Sequence, residues 1–136
     1  MQYLGEIDGR KVYNDSKATN ILATQKALSG FDNSKLWLLA GGLDRGNGFE
    51  ELEKDLQDLK GMVVLGKQQI NYVWLQKNWI FRFDSENVAK ALEEILPQTQ
   101  AGDTILLSPA CASWDQYKTF EERGDLFIQA FENLKK

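Results

Sequence analysis

The sequence contains no histidine. That absence removes Ser-His-Asp and Cys-His catalysis and every imidazole-based metal site. General acid–base work would fall to carboxylates, lysine or tyrosine. Cysteine occurs once, at Cys111, so no intrachain disulfide can form. Without a histidine to activate it, Cys111 reads as a buried structural thiol rather than a nucleophile. Proline is confined to Pro97 and Pro109, and no proline-rich linker or low-complexity stretch divides the chain. No apolar run approaches the ~20 residues of a membrane helix. The opening MQYLGEIDGRK carries no apolar signal-peptide core. The expected location is therefore the cytosol, with no membrane partner. A basic excess is lacking too: the formal net charge is -4, which disfavours nucleic acid as a partner. Neither G-x-x-x-x-G-K-[ST] nor G-x-G-x-x-G occurs, so the two common nucleotide-phosphate loops are absent.

What remains fits a single domain over residues 1–136. Hydrophobic residues make up 43% and charged residues 26%, the balance of an ordinary globular protein. That length buries a core without disulfides or metals, and a monomer is expected.

Short apolar runs alternate with amphipathic stretches. Gln2 to Asn14 reads as two strands around the turn Asp8-Gly9. Asp15-Ser16 offers helix-capping side chains, and a helix is expected from about Ala18 to Leu28, ending at Gly30. Leu36 to Ala40 is a fully apolar strand, followed by the glycine-rich loop Gly41 to Gly48. Leu52, Leu56 and Leu59 share one helical face. Met62 to Leu65 and Trp79 to Phe83 read as strands, with a weak helical pattern over Gln68 to Gln76 between them. Asp84-Ser85 precedes a helix faced by Val88, Leu92 and Ile95. Thr104 to Leu107 is another buried strand, and Phe127, Ala130, Phe131 and Leu134 line a last helix. The expected architecture is α/β: an open, mostly parallel sheet with helices on both faces, Rossmann-like, with an antiparallel hairpin at the amino end.

In such sheets ligands sit beyond the carboxyl ends of the strands. That rule selects three loops: Asn14 to Asn20, Gly41 to Gly48, and Ser108 to Phe120. The first leads into a helix start, which favours anions, and adds Lys17 and Thr19. The second brings backbone close to a ligand and carries Asp44 and Arg45. The third offers Ser113, and Arg123 follows it. Each has a plainer reading: a helix cap with a solvated lysine, a simple turn, a surface ion pair of Arg123 with Glu121, Glu122 or Asp125. Together the cations and hydroxyls suit a small dicarboxylate or a phosphate.

Three stretches carry a resemblance. Asp15-Ser16-Lys17-Ala18-Thr19-Asn20, then Ala40-Gly41-Gly42 with Asp44, then Leu107-Ser108-Pro109-Ala110-Cys111-Ala112-Ser113 with Asp115, Phe120, Glu121, Arg123 and Gly124, resemble the Mur ligase family. Within it they resemble the carboxy-terminal domain of the UDP-N-acetylmuramoyl-L-alanine:D-glutamate ligases. Order and spacing match over nearly the whole chain. The relatives that share this fold usually carry a histidine-containing stretch after the first Asp, which is not found here.

The resemblance implies a three-domain, ATP-dependent ligase of peptidoglycan synthesis, and hence of cell shape and division. Its amino-terminal domain would hold the UDP-sugar substrate. Its central domain would hold magnesium and most ATP contacts. Both would lie outside these residues, so this domain is expected to bind neither ATP nor magnesium by itself and to be inactive alone. The partners implied are D-glutamate, UDP-N-acetylmuramoyl-L-alanine and ATP. By motif, Thr19 and Arg45 would hold one glutamate carboxylate, although the family often has Lys where Arg45 stands, and the two differ in geometry. Ser113, Trp114 and the backbone around Phe120 would hold the other. Lys17 would face the glutamate and the reacting phosphate, and Asp15 the nucleotide side. Asn20, Asp44 and Arg123 would support them. Two alternatives stay open: a folate-glutamylating relative, and a free-standing module for a small anion.

Overall fold

The computed structural model describes residues 1–17, 21–41, 59–65, 79–82, 88–108 and 120–135. Its elements run β1 (Gln2–Ile7), β2 (Arg10–Asn14), α1 (Ile21–Leu28), β3 (Leu36–Gly41), β4 (Gly61–Leu65), β5 (Trp79–Arg82), α2 (Val88–Ile95), β6 (Thr104–Leu107) and α3 (Phe120–Lys135). Short 3-10 turns at Asn33–Lys35 and Leu96–Gln98 precede β3 and follow α2.

The strands form one sheet in the order β1-β2-β6-β3-β4-β5. Only β1 is antiparallel, paired with β2; every other neighbour is parallel. The expected sheet and amino-terminal hairpin are both present. The hairpin closes through Asp8 and Gly9, with φ of 48° and 85°. Two positive φ values match the right-handed strand twist, and glycine adopts one without strain.

Alternation divides the strand residues between two faces. Val12, Trp37, Leu39, Ile105 and Leu107 form one buried cluster with Leu92 and Ile95 of α2 and Phe127, Ala130 and Phe131 of α3. Helices α2 and α3 pack on each other, α2 against β4 and α3 against β1 and β2. Leu36, Leu38 and Leu106 alternate to the opposite face and are fully buried there. Helix α1 supplies Thr24, Ala27 and Leu28, all buried at one helical stripe. Thr24 bonds to Ser108, which alternates to the same face as Leu106.

The amino ends of the parallel strands carry a polar clamp. Asp103, 2% exposed, accepts from Trp37 Nε1 at 3.0 Å, from Lys60 Nζ at 2.8 Å to each oxygen, and from the Gln100 N–H at 3.0 Å. Burial pushes its carboxyl pKa up, but Lys60, the Gln100 N–H and the Trp37 N–H outweigh burial and hold it below the ordinary 3.8. Trp37 lies over Gly61, its cross-strand partner. A Cβ built on Gly61 would sit 2.2 Å from Trp37 Cζ3, so only glycine fits.

Two expectations change. Phe120, read as the end of the third loop, is helical and opens α3, which also takes in Arg123 and Gly124. Strand β4 begins at Gly61 and β3 extends to Gly41, each one residue beyond the apolar run. The helices expected over Leu52 to Leu59 and Gln68 to Gln76, and the Asp84-Ser85 cap, lie largely or wholly outside the described residues.

Candidate functional site

The three loops singled out from the sequence leave the carboxyl ends of β2, β3 and β6. In the sheet these strands are immediate neighbours, with β6 in the middle. Asn14, Leu107 and Leu39 stand in register across them. Neighbouring strands lie about 4.8 Å apart, so the loops start within about 10 Å of one another. Backbone bonds knit their first residues: the Asp15 N–H donates to Leu107 O at 2.7 Å, and the Ser108 N–H to Leu39 O at 3.1 Å.

The first loop turns on its own side chains. Asn14 Oδ1 accepts from the Ser16 N–H at 3.1 Å, which folds the backbone back over the end of β2. Ser16 is buried and Lys17 exposed. Lys17 therefore projects from a fixed turn into solvent at the rim. Asn14, Ser16 and Lys17 line one side of an open cleft of about 250 Å³, and Gly124, Asp125 and Ile128 of α3 line the other.

Gly124 explains the close docking of that helix. A Cβ there would lie 3.2 Å from Asn14 Nδ2 and 3.3 Å from Ser16 Cβ. Glycine inside a helix costs about 1 kcal/mol relative to alanine, and here it permits helix and loop to touch.

Asp15 is anchored from below. Its Oδ2 accepts from Ser108 Oγ at 3.3 Å, and Ser108 Oγ shares a 3.0 Å hydrogen bond with Thr24 Oγ1. Thr24 Oγ1 also lies 3.3 Å from Ser108 O. Both hydroxyl residues are 0% exposed. A carboxylate, a buried hydroxyl and a second buried hydroxyl thus run from the rim into the fold.

Of the residues picked from the sequence, Asp15 and Lys17 both follow the carboxyl end of β2. Phe120 and Arg123 fall in the first turn of α3, with only their backbone described. Thr19, Asn20, Asp44, Arg45, Ser113 and Trp114 lie outside the described residues. Sequence reasoning missed Thr24 and the docking role of Gly124. A polar residue on the stripe shared by Ala27 and Leu28 was the available signal for Thr24. A glycine inside an otherwise helical pattern was the signal for Gly124. Among the described residues no cluster of three or more cysteine, aspartate or glutamate side chains could hold a metal, and no helix is long and apolar enough to cross a membrane.

The sequence model of the family described as Mur ligase, glutamate ligase domain matches residues 1–111. The chain belongs to the Mur ligase family. This Mur ligase domain is 89% identical, over its whole length, to the UDP-N-acetylmuramoylalanine--D-glutamate ligase of Lactococcus lactis subsp. lactis (strain IL1403). It is 57% identical, over 99% of its length, to the protein of that name from Geobacillus kaustophilus (strain HTA426). The Mur ligase domain spans 30% of the length of each relative. Its fold is also that of a solved domain from a putative UDP-N-acetylmuramate:L-alanyl-gamma-D-glutamyl-medo-diaminopimelate ligase of Haemophilus ducreyi, with a TM-score of 0.59, 20% identity and coverage of 95% of this chain and 97% of that one. The MurF ligase of Thermotoga maritima, solved in complex with ADP, gives the same TM-score of 0.59 at 19% identity, over 94% of this chain and 30% of that one.

Proposed function

We propose that this domain positions D-glutamate in an ATP-dependent ligase that extends UDP-N-acetylmuramoyl-L-alanine in peptidoglycan synthesis. The observation that carries the reading is the 89% identity, along the entire chain, to a protein named for that reaction. In the proposed reaction ATP phosphorylates the alanyl carboxylate of the acceptor. The D-glutamate amine then attacks the acyl phosphate; the C–N bond forms, the C–O bond to phosphate breaks, and ADP and phosphate leave.

The domain supplies orientation and charge, not a nucleophile. Thr19 and Arg45 hold one glutamate carboxylate. Ser113, Trp114 and the backbone around Phe120 hold the other. Lys17 faces the incoming glutamate and the reacting phosphate, and its exposed position at the end of β2 suits that task. Asp15 addresses the nucleotide, with Asn20, Asp44 and Arg123 in support. Holding two reactants in line is among the largest contributions a site can make to rate, and closure over the acyl phosphate would exclude water. Magnesium and most ATP contacts are assigned to the remainder of the longer protein, and no step is routed through a metal here.

The test is steady-state kinetics on the full-length ligase. Lys17→Ala is expected to lower kcat by about 100-fold, the scale of removing one charge-stabilising donor. Ser113→Ala is expected to raise KM for D-glutamate about tenfold with ATP binding unchanged. Wild-type turnover by both variants would remove these roles.

A further inference from the structure

Beneath the rim lies the buried hydroxyl pair that the proposed reaction does not use. Thr24 and Ser108 are both 0% exposed, and polar groups are buried at a cost unless they are hydrogen-bonded. Here the pair ends on Asp15: Thr24 Oγ1 to Ser108 Oγ at 3.0 Å, then Ser108 Oγ to Asp15 Oδ2 at 3.3 Å. The three residues come from α1, the end of β6 and the end of β2.

Backbone bonds already hold the ends of β2 and β6 in the sheet, and the Thr24 hydroxyl adds α1 to them. Asp15 N–H to Leu107 O and Ser108 N–H to Leu39 O continue the sheet ladder to the rim without help from either hydroxyl. The hydroxyls act on something the ladder does not reach, the orientation of the Asp15 side chain. With Oδ2 bound from below, rotation of the carboxylate is restrained, and Oδ1, which lies 3.7 Å from the amino group of Met1, is the oxygen Ser108 does not engage. A hydrogen bond to a charged acceptor is stronger than a neutral one. Thr24 in turn restrains the Ser108 hydroxyl, which would otherwise rotate.

We propose that Ser108, backed by Thr24, is a positioning residue that sets the Asp15 carboxylate for the nucleotide. The inference rests on the assignment of Asp15 to the nucleotide side. It separates two roles along one rim: Lys17 acts on glutamate and the reacting phosphate, whereas the Thr24–Ser108–Asp15 line acts on ATP alone.

The test uses the full-length ligase, with KM for ATP, KM for D-glutamate and kcat measured separately and folding checked by thermal melting. Ser108→Ala is expected to raise KM for ATP by about fivefold, the scale of one lost hydrogen bond of about 1 kcal/mol, with KM for D-glutamate within about twofold of wild type. Placed on Asp15→Asn, Ser108→Ala is expected to add less than it does alone, because the charge it orients is gone. Should Ser108→Ala fail to fold, Thr24→Val and Thr24→Ser carry the comparison. Valine is expected to raise KM for ATP, and serine, which keeps the hydroxyl, to restore it. Equal rises in both KM values, or full additivity with Asp15→Asn, would overturn the positioning role and leave Asp15 with its own. An unchanged KM for ATP in Asp15→Asn would remove the assignment of Asp15 itself, and this proposal with it.

Discussion

Gly61 sits directly under an indole. The 2.2 Å approach of a built Cβ to Trp37 Cζ3 leaves no room, and Trp37 is 3% exposed with its Nε1 tied to Asp103. Gly61→Ala must therefore push the ring off both the glycine and the carboxylate. Overpacking of this kind costs about 1–3 kcal/mol, occasionally more. Urea unfolding is expected to show that loss as a lower midpoint at constant slope. Adding Trp37→Leu should recover part of it, because the two changes share one contact. The carboxylate gives a pH signature as well. The Asp103 pKa is lowered in the fold, so its contribution to stability is complete above the unfolded-state value and fades as pH falls through the folded one. In that acid window the unfolded chain binds more protons than the folded chain. Wild type should thus lose stability below about pH 4. Asp103→Asn, costing about 1–3 kcal/mol at neutral pH, should show a smaller deficit as the pH is lowered. A deficit independent of pH would mean that Asp103 acts through shape alone.

At the scale of elements, the meeting of α3 with the Asn14–Ser16 turn decides the shape of the cleft. Gly124→Ala sets a helix gain of about 1 kcal/mol against contacts of 3.2 and 3.3 Å, and the two nearly cancel. Gly124→Val adds a branched carbon where Ser16 Cβ, attached to the backbone, cannot rotate away. It is expected to destabilise by about 1–3 kcal/mol and to lower turnover of the full-length ligase, whereas alanine leaves both near wild type. Equal stability of the two variants by denaturant unfolding would refute the close-packing account. Such contacts mark the limit of sequence reading. Leu36 to Ala40 and Thr104 to Leu107 announced themselves as buried strands because both faces are apolar, and Asp8-Gly9 specified its turn. Those signals are local. The docking of Gly124 on Asn14 joins positions 110 apart, and Thr24 meets Ser108 across 84. No periodicity encodes such pairs. The start of α3 went unmarked because Phe120 to Gly124 has a glycine and three charges where an apolar stripe would otherwise announce a helix.

For the whole molecule, sheet order is the decisive fact. The carboxyl ends of the second, third and sixth strands become adjacent because β6 inserts between β2 and β3. That insertion brings three strand ends distant in sequence to one rim of the sheet, which in the proposed function is one wall of a site. The chain spans 30% of the length of its relatives, so in the proposed ligase the facing wall belongs to the remainder. A dicarboxylate held from one side keeps part of its hydration and meets only part of its partners. Its affinity should then fall weaker than about 1 mM, or about 4 kcal/mol of binding free energy. Calorimetric titration of the isolated chain with D-glutamate is accordingly expected to give no saturable signal at micromolar concentrations, and the chain alone no ATP-dependent ligation. The full-length ligase under the same conditions should bind and turn over. Micromolar binding of D-glutamate, or of another small anion, by the isolated chain would mean that the rim is a complete site, and would favour a self-sufficient binding module over one wall of a ligase.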